Sequence, residues 1–82
     1  MGGNLMKVKK LNNKRNFKKL VTGDKLLIQR RNGEIVLGTF QKIFEDEDVV
    51  FTTPTLQCED EFNIDMLLSN KSSVIEVFQV LI

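Results

Sequence analysis

The sequence predicts a mostly β fold: an N-terminal helix followed by five short antiparallel strands bent strongly into a small barrel. Three features carry this expectation. The apolar spacing changes at Gly23 from a helical stripe to strand-like alternation. Asn32-Gly33 stands between two apolar runs and is the strongest hairpin signal in the chain. Gly38 lies inside a stretch long for one strand, where a residue without a side chain marks a bend or bulge.

Residues 1–12 read as a basic, flexible leader, and 13–82 as a single domain. A helix is expected over about 13–21. Asn12 or Asn13 supplies its cap, and Phe17, Leu20 and Val21 fall on one stripe. Lys14, Arg15, Lys18 and Lys19 lie on the other side, and Gly23 supplies the stop. The barrel is expected over about 24–82. Its first strand, residues 25–30, points Leu26 and Ile28 to one face. After a tight primed turn at Asn32-Gly33, the long second strand runs through 34–44.

Glu45-Asp46-Glu47-Asp48 is a four-acid turn, followed by the apolar third strand Val49-Val50-Phe51-Thr52 with Pro54 at its end. Residues 56–61 are polar and read as a loop. Phe62, Ile64, Met66 and Leu68 alternate as a fourth strand. A turn at 69–73 leads to the fifth strand, 74–82, which is apolar on both faces. A free edge of that kind is an aggregation hazard, so it is expected to pair with a neighbour. Size points the same way. A chain of 82 residues buries only about 60–65% of its unfolded surface, and such domains often gain stability from a partner subunit.

The net charge of +1 conceals a dipole. Residues 1–31 hold ten basic residues against one acid, a net +9; residues 32–82 hold two against ten, a net −8. Such asymmetry suits a basic face for a polyanion. It also suits basic and acidic segments that attract each other within the fold or between subunits.

Asn32-Gly33, Gly38, Phe40, Ile43 and Val49-Val50-Phe51 stand in a spacing that resembles the first motif of the Sm/LSm family, which includes bacterial Hfq. The match covers about residues 14–52; residues 56–82 fit the second motif only in hydrophobic pattern. The resemblance implies a closed homo-oligomeric ring in which the fourth strand, 62–68, pairs with the fifth, 74–82, of the next subunit. It also implies RNA binding at a pore formed by the loops 44–48 and 69–73.

The departures fall in that pore. Phe44 stands where the family has Asp, Asp46 and Glu47 stand at the stacking positions, and Asp48 replaces Asn. The Arg-Gly pair of the second motif is absent, with Asn70-Lys71 the nearest substitute. The pore loop is thus Phe44, Glu45, Asp46, Glu47 and Asp48, without an aromatic platform at the stacking positions and with acids that repel phosphate. Those acids read either as a pore lining for cations or a basic peptide, or as a solvated turn, and the solvated turn is preferred. The expected function is a ring-forming RNA-binding or RNA-chaperone module with an atypical pore. Nucleic acid would then contact Lys14, Arg15, Lys18, Lys19, Arg30, Arg31 and Lys71 through its phosphates. The alternative is an oligomeric scaffold or protein-interaction barrel that has lost RNA binding.

Catalysis is not expected. The chain has no histidine, nucleophile elbow or P-loop, and no cofactor or metal is expected. Cys58 lies beside Glu59-Asp60-Glu61, an anionic setting that makes a poor nucleophile. A lone cysteine excludes a disulfide within the chain and suits a reducing, cytoplasmic setting. No apolar run approaches the roughly 20 residues of a membrane span.

Overall fold

Asn13 opens the first helix by capping: its side-chain oxygen accepts the Asn16 N–H at 2.9 Å. That helix, α1, spans Lys14–Lys18 and is shorter than the apolar stripe suggests. The Val21 N–H turns instead to the Asp24 carboxylate at 2.9 Å, and the Asp24 N–H returns to the Val21 carbonyl at 2.9 Å. This reciprocal turn leaves Phe17 buried and Leu20 half-buried but Val21 exposed.

The computed structural model describes residues 6–55 and 59–81. Around α1 lie β1 (Val8–Lys10), β2 (Lys25–Arg30), β3 (Ile35–Ile43), β4 (Asp48–Thr52), β5 (Asp60–Asn63), the helix α2 (Ile64–Leu68) and β6 (Val74–Val80). All six strands form one antiparallel sheet in the order β1-β6-β2-β3-β4-β5. Strands β1 and β5 are its two edges and do not pair with each other. The sheet is open, which corrects the closed five-stranded barrel of the sequence reading and of the Sm resemblance.

Two local events account for the difference. The segment 62–68, expected as a strand, changes at Asn63, whose side-chain oxygen accepts the Met66 N–H at 3.1 Å and starts α2. Strand β5 is therefore only four residues long. The helical period then buries Ile64 and Leu67 and exposes Met66 and Leu68. At the other edge, Val8–Lys10 pairs with β6 although it lies in the stretch read as leader. Strand β6 thus has β2 on one side and, over Phe78–Val80, β1 on the other, so that stretch is not a free edge.

The turn at Asn32-Gly33 also differs from the primed form. The Gly33 N–H donates to the Arg30 carbonyl at 3.0 Å, and the Arg30 N–H donates to the Glu34 carbonyl at 2.7 Å. Gly33 alone within this turn has positive φ, at 92°. This is a three-residue loop with glycine at its left-handed position. The acid turn repeats it: the Glu47 N–H donates to Phe44, the Phe44 N–H donates to Asp48, and Glu47 takes the left-handed position with φ 69°.

Gly38 faces Leu26 across the β2–β3 ladder and is buried. A Cβ there would lie 2.9 Å from the Phe51 ring and 3.1 Å from the terminal methyl of Ile28. Gly38 thus lets the Phe51 ring approach the β3 backbone, while the register shift of β3 lies at 40–42.

One side of the sheet carries the core. Leu26, Ile28, Val49, Phe51, Phe62 and Val77 are covered by Phe17 of α1 and by Ile64 and Leu67 of α2. Phe17 meets Phe62 edge-on at 5.9 Å, and Phe62 meets Phe51 at 5.9 Å. A register shift opposite Gln29 and Arg30 brings both Val74 and Val77 to burial, although strict alternation from 74 to 80 assigns them opposite faces.

Candidate interaction surface

The residues expected to bind nucleic acid divide into three groups: Lys14 with Lys18, Arg30 with Arg31, and the exposed Arg15, Lys19 and Lys71. Lys14 extends from α1 to the Glu47 Oε2 and the Asp65 Oδ1, each at 3.0 Å, and Lys18 lies 4.0 Å from the Glu47 Oε1. The Asn63 amide donates to the Asp46 carbonyl at 3.0 Å and to the Asp48 carboxylate at 2.8 Å. The Ile64 N–H donates to the Glu47 carbonyl at 3.0 Å. The acid turn is therefore fastened to α1 and α2, with Glu47 largely shielded from solvent, while Glu45 and Asp46 are exposed.

The Asp65 carboxylate first, and then that of Glu47, each 3.0 Å from the ammonium, raise the Lys14 pKa above its ordinary value of 10.5. A lysine whose pKa is raised by folding adds stability that is complete below its unfolded pKa and fades as pH rises through the folded one. Lys14→Gln is thus expected to lower the thermal midpoint at neutral pH, with the deficit closing above pH 10.5. Melting curves of both proteins between pH 7 and 11 check this; a deficit constant across the range removes the pair's role.

The second group lies at the β2–β3 hairpin. Arg30 reaches the Asp60 Oδ2 at 3.0 Å and the Glu34 Oε1 at 3.3 Å. The Arg31 guanidinium donates to the Asn70 Oδ1 at 2.9 Å and to the Ser72 carbonyl at 3.0 Å. Loop 69–73 is thus fastened to the hairpin, whereas loop 44–48 is fastened to the start of α2. Within this chain, α2 stands between the two loops expected to line a pore. Arg15, Lys19 and Lys71 are exposed and have no side-chain ion pair among the described residues. Phe44 is half exposed, with the Lys42 ammonium 4.8 Å from its ring centre.

A surface that the sequence reading missed lies on the side of the sheet opposite the core. The register of β3, β2, β6 and β1 aligns outward residues in three rows. The first is Thr39, Lys25, Val80 and Val8. The second is Leu37, Leu27, Phe78 and Lys10. The third is Ile35, Gln29 and Glu76. Ile35 is 65% exposed, Leu37 47% and Val8 43%, while Leu27, Phe78 and Val80 are half-buried. The Lys10 ammonium meets Glu76 at 3.2 Å across this face. Toward β4 the face turns polar, where the Gln41 amide donates to the Thr52 hydroxyl at 3.3 Å. The signal was present: Leu26-Leu27-Ile28 and Ile35-Val36-Leu37 are unbroken apolar runs, so alternation must send some of them outward.

Among the described residues no three metal-ligating side chains gather, and no helix is long and apolar enough to cross a membrane. Cys58 lies outside the described residues. Comparison with protein-family models, with curated proteins and with solved structures finds no match.

Proposed function

We propose that this chain is a non-catalytic protein-interaction module of the cytoplasm that binds through the outer face of its sheet. The observation that carries the reading is the apolar row Leu37–Leu27–Phe78, flanked by Ile35, Val80 and Val8 and rimmed by Lys25, Lys10, Glu76 and Thr39. An apolar centre with a polar rim is the anatomy of protein interfaces, and contiguous apolar patches of this kind mark interaction sites on soluble domains. The basic residues support RNA binding less well. Lys14, Lys18 and Arg30 already meet carboxylates within the chain, which offsets the charge a phosphate backbone would contact.

Photo-cross-linking in cells tests the reading. A photoreactive residue is placed at position 37, in the apolar row, or at position 52, on the polar part of the same face. Cross-linked peptides identified by mass spectrometry are expected from position 37 and not from position 52. No adduct at 37, or nucleic acid in place of peptide, defeats the proposal.

A nucleic-acid reading retains one specific observation in its favour: Arg15 and Lys19 project from α1 with no acid paired to them among the described residues. Binding there would be non-specific in sequence and would weaken steeply with salt. Fluorescence anisotropy with mixed-sequence single-stranded RNA at low salt separates the readings. Only the nucleic-acid reading expects binding that Arg15→Ala with Lys19→Ala abolishes and that Leu37→Glu leaves unchanged.

A further inference from the structure

The charges around the outer face are not evenly distributed. Lys25 lies in the first row and Glu76 in the third, on opposite sides of the apolar row and on the neighbouring strands β2 and β6. The Lys25 ammonium stays on this face, bonded to the Thr39 hydroxyl at 2.8 Å. The face thus carries Lys25 toward one end of its strands and Glu76, bonded to Lys10 at 3.2 Å, toward the other, with leucine and phenylalanine between.

Resting on the interaction reading above, we infer that the occupant of this face is a second copy of the chain, packed face to face with its strands antiparallel. A two-fold axis lying in the interface and perpendicular to the strands, passing through the Leu37–Leu27–Phe78 row, reverses the order of the rows. The first row of one copy then lies over the third row of the other. Lys25 comes opposite the Gln29–Glu76 row of its partner, twice by symmetry, and Glu76 can share its charge between Lys10 of its own chain and Lys25 of the other copy. An axis along the strands would instead lay each row over the same row of the partner, so that Lys25 lies in the row of the other Lys25 and Glu76 in the row of the other Glu76. Charge complementarity therefore selects the occupant's orientation as well as its identity.

The scale of the face sets the expected strength. Four strands spaced about 4.8 Å, with three rows about 7 Å apart, give a patch roughly 20 Å on a side. Two such faces bury roughly 800 Å², below the range of stable interfaces, so association is weak, reversible and depends on concentration. The core on the other side of the sheet is complete in one chain, so dissociation leaves a folded monomer.

Sedimentation velocity across micromolar to millimolar protein tests the arrangement, with circular dichroism to verify that every variant is folded. The wild type is expected to pass from monomer to dimer. Leu37→Glu, at an exposed position, is expected to weaken dimerisation at least about tenfold, by placing a carboxylate in the apolar row. Lys25→Glu alone and Glu76→Lys alone are each expected to weaken it as well, because like charges then meet at two symmetric contacts. An equimolar mixture of the Lys25→Glu and Glu76→Lys chains is expected to regain the dimer, since one contact is reversed in sign and the other is wild type. A dimer that neither charge variant weakens, or two weakened variants whose mixture does not recover, overturns the antiparallel arrangement. A wild type that stays monomeric throughout overturns self-association. If the position-37 cross-links then identify a different protein, the interaction reading stands without this inference; if they identify nothing, both fall.

Discussion

Replacing Phe17 with alanine is expected to remove about 3–5 kcal/mol of stability and to move the urea midpoint far down. Phe17 is fully buried, is the buried residue of a five-residue helix, and meets Phe62 edge-on. Truncating a buried phenylalanine costs about 3–5 kcal/mol, through lost transfer energy and the cavity left behind. A domain of 82 residues has a total stability of only about 4–12 kcal/mol, so one side chain carries a large share of it. A helix of this length does not persist alone, so losing its anchor also releases Lys14 from Glu47 and Asp65. Urea denaturation followed by circular dichroism is the measurement, with Phe17→Leu expected to be milder. A midpoint for Phe17→Ala equal to that of the wild type would mean that α1 does not cover the core.

Gly38→Val is the second large effect, and its sign is the informative part. In an exposed strand, valine in place of glycine is favourable, by up to about 1 kcal/mol on strand propensity. At position 38 even the first added carbon meets the Phe51 ring at 2.9 Å. Phe51 cannot retreat easily, because it is 1% exposed and packed against Phe62. Ile28 can yield more, since its near atom is a terminal methyl. Overpacking of this kind costs about 1–3 kcal/mol. Gly38→Ala is therefore expected to lower the denaturation midpoint at constant m-value, and Gly38→Val to lower it further. A raised midpoint for either variant would mean that Phe51 has room to move.

The same pair of residues indicates what could be read before the fold was known. The two-residue period assigns Leu26 and Ile28 to one face, and both are buried; Val49-Val50-Phe51-Thr52 reads only as an apolar strand, in which Val49 and Phe51 join the core. The segment 62–68 defeats the pattern because it satisfies two periods at once. Phe62, Ile64, Met66 and Leu68 alternate as a strand, while Ile64 and Leu67 share a helical face. The deciding signal is Asn63, a capping residue in front of the apolar run, which the alternation masks.

Strand β1 was not legible for a different reason. None of its three residues is buried, so no hydrophobic pattern marks it, and it exists through main-chain pairing with β6. The site was only partly legible. Counting charges located the basic and acidic segments. It could not show that Lys14 would reach residues 33 and 51 positions away, at Glu47 and Asp65. Ion pairs between distant segments depend on where α1 and α2 settle over the core face, which no local pattern encodes. The outer face was hidden in the same way, because Leu27, Leu37 and Phe78 become neighbours only once three strands are in register.

The pairing of β1 with β6 also orders the assembly of the chain. Val8 faces Val80, 72 positions later, the widest separation of any paired residues in the sheet. Closing so long a loop from the open chain costs about 4 kcal/mol in entropy before its constant term. Three exposed residues return little against that sum. Once β6 has docked on β2, the flexible span shrinks to the 14 residues between β1 and β2, and the closure cost falls by about 1.5 kcal/mol. Strand β1, the first of the six along the chain, is therefore expected to join the sheet last, as a latch on a structure already built.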